Sequence, residues 1–270
     1  MKRLALIVLI ALPAAAHDFW IEPSAFRPAA GETVRLGLRQ GEHFEGEPVT
    51  WNPQRVARAI VRSSSGVTNL RGDVIALTEP GLAIVTYETK PKVHEPMTAA
   101  KFEAYLREEG LERIIRERAA RGESAKHGTE IFSRSAKSLL AAGAGFDQPL
   151  GMRYEIVPLT DPDTAAALKC RLLFEGKPVE GALVVAMLRG DRSVRAEARS
   201  DADGVVTLPL RRDGVWLVKS VHMTAAPPES GVEWESIWAS LTFERRQIAS
   251  ASVSRSRSKT KKPVSSDSVE

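Results

Sequence analysis

The chain has 270 residues, with 38 Lys and Arg against 34 Asp and Glu, and a single cysteine. Its excess of basic residues lies at the two ends, because residues 17–249 carry 31 basic and 32 acidic side chains, and this balance excludes the broad basic surface of a nucleic-acid-binding protein. With Cys170 alone no internal disulfide can form, and no apolar stretch after the N-terminal segment is long enough to span a membrane.

The N-terminal segment has the features of a cleaved secretory signal peptide. Two basic residues precede the apolar run at residues 4–12, and Ala14 and Ala16 supply the small side chains that signal peptidase selects at positions −3 and −1. We therefore predict a signal peptide over residues 1–16 and an exported protein that begins at His17.

Residues 17–96 are predicted to form an N-terminal β-sandwich module. Between Thr33 and Arg39 apolar and polar side chains alternate, which is the period-two pattern of a half-buried strand. Glycine and proline turns separate this run from further predicted strands at residues 56–61, 74–77 and 82–87.

Residues 97–148 are predicted to form a helical segment. Phe102, Tyr105 and Leu106 fall at helical spacing after Thr98, a possible N-cap, and Gly110 is placed to separate this helix from a second one. Another helical pattern comprises Ile131, Phe132, Ala136, Leu139 and Leu140 and ends near residues 141–143.

A C-terminal β-sandwich module is predicted over residues 149–248. Its predicted strands are residues 153–157, 170–174, 182–188, 194–198, 205–210, 215–221 and 237–243. Turns such as Asp213-Gly214 have the residues typical of β-hairpins.

Residues 249–270 are rich in serine, lysine and arginine and nearly lack apolar side chains, so this tail is predicted to be disordered. The predicted fold class is thus mainly β, with two sandwich modules joined by a helical segment.

Four segments of the chain resemble the DUF4198 proteins, a family similar to the periplasmic NikM/NikK-like components associated with nickel and cobalt uptake. The segments are residues 17–23 (HDFWIEP), 102–111, 214–223 and 234–243. The resemblance implies a periplasmic location, immunoglobulin-like or transthyretin-like β modules, and a metal ligand at the processed N-terminus. In NikM-type transport components the histidine follows a methionine and the protein is embedded in the membrane, so this chain departs from that pattern.

A processed N-terminal histidine is a chelator, because its free amine and its ring nitrogen can bind one divalent transition metal ion. Cleavage after Ala14 would leave Ala15-Ala16-His17, which forms a square-planar nickel or copper chelate. The alternative interpretation is that the ring of His17 only packs beside Phe19 and Trp20. The metal ligands that we predict first are therefore the amine and the imidazole of His17.

The remaining ligands must come from distant parts of the chain, since no local zinc motif is present. His222 is the predicted second imidazole, because two imidazoles and an amine form a T-shaped site that copper or nickel accepts. The alternative for His222 is a core histidine with satisfied hydrogen bonds. His43, on a predicted turn, is the second candidate, whereas His94 and His127 are expected at the surface.

These features predict a protein without catalytic activity that captures Ni²⁺, Co²⁺ or Cu²⁺ for a metal-uptake transporter or an outer-membrane receptor. The alternative is a non-catalytic β-sandwich module that binds or adheres to a glycan or a protein, with His17 incidental. A copper oxidase that uses the same N-terminal histidine is a third hypothesis. None of the three needs nucleic acid or, once the signal is removed, a membrane span.

Overall fold

The computed structural model describes residues 17–141 and 145–246, so the predicted signal peptide and the predicted disordered tail lie outside the described residues. As predicted, the protein is mainly β. The described strands are β1 (Asp18–Pro23), β2 (Thr33–Glu42), β3 (Glu45–Val49), β4 (Val56–Ser63), β5 (Gly66–Asn69), β6 (Val74–Ala76), β7 (Ala83–Thr89), β8 (Lys92–Val93), β9 (Glu130–Leu140), β10 (Tyr154–Pro158), β11 (Ala167–Phe174), β12 (Lys177–Pro178), β13 (Leu183–Leu188), β14 (Asp191–Arg199), β15 (Val205–Pro209), β16 (Gly214–Ala225) and β17 (Trp234–Arg245). The helices are α1 (Ala99–Glu108) and α2 (Glu112–Ala120).

A nine-stranded central sheet contains strands from both predicted modules. Its order is β14-β13-β16-β17-β9-β7-β4-β5, and β8 also pairs with β9. Neighbouring strands are antiparallel except for β17 and β9, which are parallel. Strand β9 therefore joins the two parts of this sheet, because it pairs with β7 on one side and with β17 on the other.

Two four-stranded sheets cover the opposite faces of the central sheet. One consists of β1, β2, β3 and β6, and the other of β10, β11, β12 and β15. Alternate residues of β7 show the layering: Val85 is buried in one core with Ile21 of β1, whereas Ile84 is buried in another with Tyr154 of β10. The fold is therefore a three-layer β structure with a separate hydrophobic core on each side of its central sheet.

The helix predicted over residues 131–140 is wrong, because these residues form strand β9. A strand with both faces covered loses the alternation of apolar and polar side chains that marks a half-buried strand. Here even Lys137 is buried, where it contacts the carboxylate of Glu155 and donates to the carbonyl oxygen of Ile156 at 3.1 Å. The residual 3.6-residue pattern was therefore misleading.

The two helices before β9 are confirmed and lie on the same face of the central sheet as β1. Thr98 caps α1 by accepting a hydrogen bond from the backbone N–H of Lys101 at 3.4 Å. Between the helices Gly110 has a φ of 69°, and a Cβ there would lie 2.5 Å from the Cβ of Leu183. The apolar side of α1 packs against Trp234 and Trp238 of β17. Within the described residues, neither helix has the length and apolar character needed to cross a membrane.

Candidate metal-binding site at the start of the first strand

His17 immediately precedes β1, at the edge of the layer that this strand forms with β2. The register pairs Asp18 with Gly41, which brings the His17 side chain to the end of β2. There Nε2 of His17 lies 3.3 Å from Oε1 of Glu42. The backbone oxygen of His17 accepts a hydrogen bond of 2.7 Å from the buried guanidinium of Arg134. Both the ring and the backbone of His17 are therefore held by contacts to later parts of the chain.

The turn between β2 and β3 presents His43 next to this contact. His43 and Phe44 adopt positive φ angles of 54° and 62°, a left-handed conformation that costs about 1 kcal/mol or more for each residue that is not glycine. Burial of Phe44 offsets that cost, because its ring packs edge-on against Trp20 at 5.3 Å. As a result His43 lines the same small cleft as Asp18 and Glu42.

A buried group of charges lies directly below the site. The ammonium of Lys219 is 2.8 Å from both Asp18 and Glu109, and the two carboxylates are almost completely buried. Burial opposes the charge of Lys219, but the two carboxylates together raise its pKa above the ordinary lysine value. Burial also disfavours the charged form of Glu109, and it raises the pKa of this carboxyl to about 7. At neutral pH Glu109 is therefore partly protonated in the folded protein.

Arg134 and Glu130 extend this buried group along β9. The guanidinium of Arg134 lies over the ring of Phe19, 5.4 Å from its centre, and burial lowers its pKa to about 10. Glu130 accepts a hydrogen bond from the hydroxyl of Tyr105 at 3.3 Å. Burial nevertheless raises the pKa of Glu130 to about 7.

His222 lies on the opposite face of the central sheet. Side chains alternate along β16, so Lys219 points towards β1 whereas Ser220, bonded to the hydroxyl of Tyr154, points towards β10. His222 shares the face of Ser220, and its ring centre is 4.6 Å from that of Phe174. Burial, together with Arg113 and Arg153, lowers the pKa of His222 to about 4. The structure therefore does not bring His222 to His17.

The residue that sequence reasoning missed is Glu42. Its role depends on strand β1, which was not predicted because residues 18–23 are almost all buried and do not alternate. In the described ranges, no group of three or more His, Cys, Asp or Glu side chains is arranged to hold a metal ion. A metal at His17 would thus need a donor of another kind, and a free α-amine at position 17 is such a donor.

The chain was compared with protein-family models, curated sequences and solved structures, and a family model matches it. The family model described as "Domain of unknown function (DUF4198)" matches residues 14–224. No curated protein sequence matches the chain. Among solved structures, the D0-D1 domain of Intimin is similar with 11% sequence identity and a TM-score of 0.20, over 84% of this chain and 97% of that one. A score this low carries no information about function.

Proposed function

The chain belongs to the DUF4198 family of β-rich proteins, and from this premise we propose that it is a periplasmic protein that captures a divalent transition metal ion for uptake. The cargo is Ni²⁺, Co²⁺ or Cu²⁺, and the ligands are the amine and the imidazole of His17 after signal cleavage. The observation that carries the proposal is the 3.3 Å contact between Nε2 of His17 and Glu42.

That contact leaves the other ring nitrogen for the metal. An N-terminal histidine chelates through its amine and Nδ1, and Nδ1 of His17 has no partner among the described residues. A carboxylate on the far nitrogen fixes the tautomer and the ring orientation and makes the imidazole a stronger donor. Glu42 is placed to do this, and His43 on the adjacent turn is the nearest second imidazole by sequence.

Release of the metal follows from the same chemistry. The amine and the imidazole bind metal only in their unprotonated forms, so acidification competes with the ion at both donors. The donors lie at the protein surface, with 22% of the His17 side chain exposed. An uptake transporter or outer-membrane receptor could therefore take the ion by direct ligand exchange.

The test is a calorimetric titration of Ni²⁺ and Cu²⁺ into protein whose mature N-terminus has been verified by mass spectrometry. We expect His17→Ala, and separately acetylation of the amine, to weaken binding by more than about tenfold, or about 1.4 kcal/mol. Glu42→Gln should weaken it less, since Gln keeps an oxygen near Nε2 but not the charge.

His94→Ala is the matched control, because His94 contacts Phe132 near β8 and does not line the cleft beside His17. His222→Phe is the second control and should leave metal affinity unchanged. Loss of less than tenfold in His17→Ala, or full affinity in the acetylated protein, would contradict the proposal.

A further inference from the structure

A cavity of about 230 Å³ lies where strand β16 extends beyond its neighbour β13. Strand β13 pairs with β16 only as far as Lys219, so the following residues of β16 have no strand on that side. The start of α2 and the turn before β13 close the space instead. The cavity has an apolar floor, formed by Leu111, Ile114, Val179, Val221 and Met223.

His222 provides the cavity with one neutral polar group. Its ring packs against Phe174 at 4.6 Å and Tyr154 at 5.6 Å, which fixes the ring plane. Neither ring nitrogen has a hydrogen-bond partner among the described residues. A partly buried imidazole without such a partner is available to a ligand.

The rim of the cavity carries three arginines and two glutamates, so it has one excess positive charge. Two of the arginines are occupied: Arg199 pairs with Glu112 at 2.8 Å, and Arg113 contacts Glu117 and the carbonyl oxygen of Met223. Arg116 has no ion pair or hydrogen bond within residues 17–141 and 145–246. It is therefore the cation that a ligand can use.

From this arrangement we propose that the cavity binds a small organic carboxylate with an apolar body. The carboxylate pairs with Arg116, the body covers the apolar floor, and the imidazole of His222 makes the directional hydrogen bond. A pocket that is mostly apolar and has a few convergent polar groups is the usual form of a small-molecule site. The cavity shares no lining residue with the cleft at His17, so ligand binding here is independent of metal binding.

The probes are 4-methylpentanoate, leucine and the uncharged 4-methylpentanamide, titrated by calorimetry and followed through the ring signals of His222 in NMR spectra. We expect both carboxylates to bind and to shift the His222 signals, with the amide at least about tenfold weaker. Arg116→Gln should weaken carboxylate binding by about tenfold, and Glu180→Gln should strengthen it slightly by removing a repulsive charge.

Arg35→Gln is the matched control, since Arg35 is an exposed arginine on a different sheet, where it pairs with Asp73. Because Arg116 is exposed, its substitution does not threaten folding. The proposal is overturned if the amide binds as tightly as the carboxylates, if Arg116→Gln behaves like the control, or if the probes leave the His222 signals in place.

Discussion

Replacing Glu130 by Gln should change how the stability of the protein depends on pH. Glu130 is only 1% exposed, and the substitution preserves its shape and an acceptor for the hydroxyl of Tyr105. It removes the charge that burial disfavours. In the native protein the pKa of Glu130 is raised from 4.5 to about 7, so the folded state binds this proton more tightly than the unfolded state does.

The size of the effect follows from that difference. A carboxyl with a raised pKa contributes its full stabilisation below the unfolded value of 4.5 and loses it as the pH rises through about 7. At about 1.36 kcal/mol for each pKa unit, the whole loss is about 3 kcal/mol, of which roughly 2 to 3 kcal/mol falls between about pH 5 and about pH 8.

Urea denaturation followed by tryptophan fluorescence, at several pH values across this range, measures the effect. As the pH rises from about 5 to about 8, the free energy of unfolding of Glu130→Gln should increase relative to that of the native protein by roughly 2 to 3 kcal/mol. Glu197→Gln, on an exposed side chain of β14, serves as the control and should show no such trend. A difference between Glu130→Gln and the native protein that stays constant with pH would refute the reasoning.

Three further predictions concern the buried parts of the fold. Lys219→Met leaves two buried carboxylates without their cation and should lower the free energy of unfolding by about 3 to 5 kcal/mol at neutral pH in urea titrations, with a smaller loss in acid. Gly128→Ala places a Cβ 2.1 Å from the ring of Phe102 and should cost at least about 1 to 3 kcal/mol in the same assay, whereas Gly72→Ala, with no atom within 4 Å, should cost far less. Cys170 is fully buried, and burial raises the pKa of its thiol to about 12, so it should react with a thiol reagent only after unfolding; fast labelling of the native protein would contradict this.

The sequence predicted those elements that are marked by short-range signals, such as a period-two pattern, a capping residue or a glycine break. The strand at Thr33 alternates because one of its faces is exposed, and the helices were recognised from the Thr98 cap and the Gly110 break. Strands β1 and β9 escaped prediction for a common reason: both are buried on two sides, and burial removes the period on which such predictions depend.

The candidate site was predicted only in part, again because of β1. The predicted signal peptide points to His17 from the sequence, but the contact of His17 with Glu42 depends on the pairing of β1 with β2. The choice between His222 and His43 depends on which face of β16 carries the side chain of His222. That face follows from register, where a shift of one residue reverses every side chain, and spacing along the chain does not reveal it.

The position of β17 in the middle of the central sheet bears on how the protein is made. This strand is the last one in the described chain, yet it lies between β16 and β9 and pairs with both. Until the ribosome has synthesised residues 234–245, each half of the sheet exposes an inner edge with which no other described strand pairs. A nascent chain therefore cannot complete its central sheet until the last of the described strands has been synthesised.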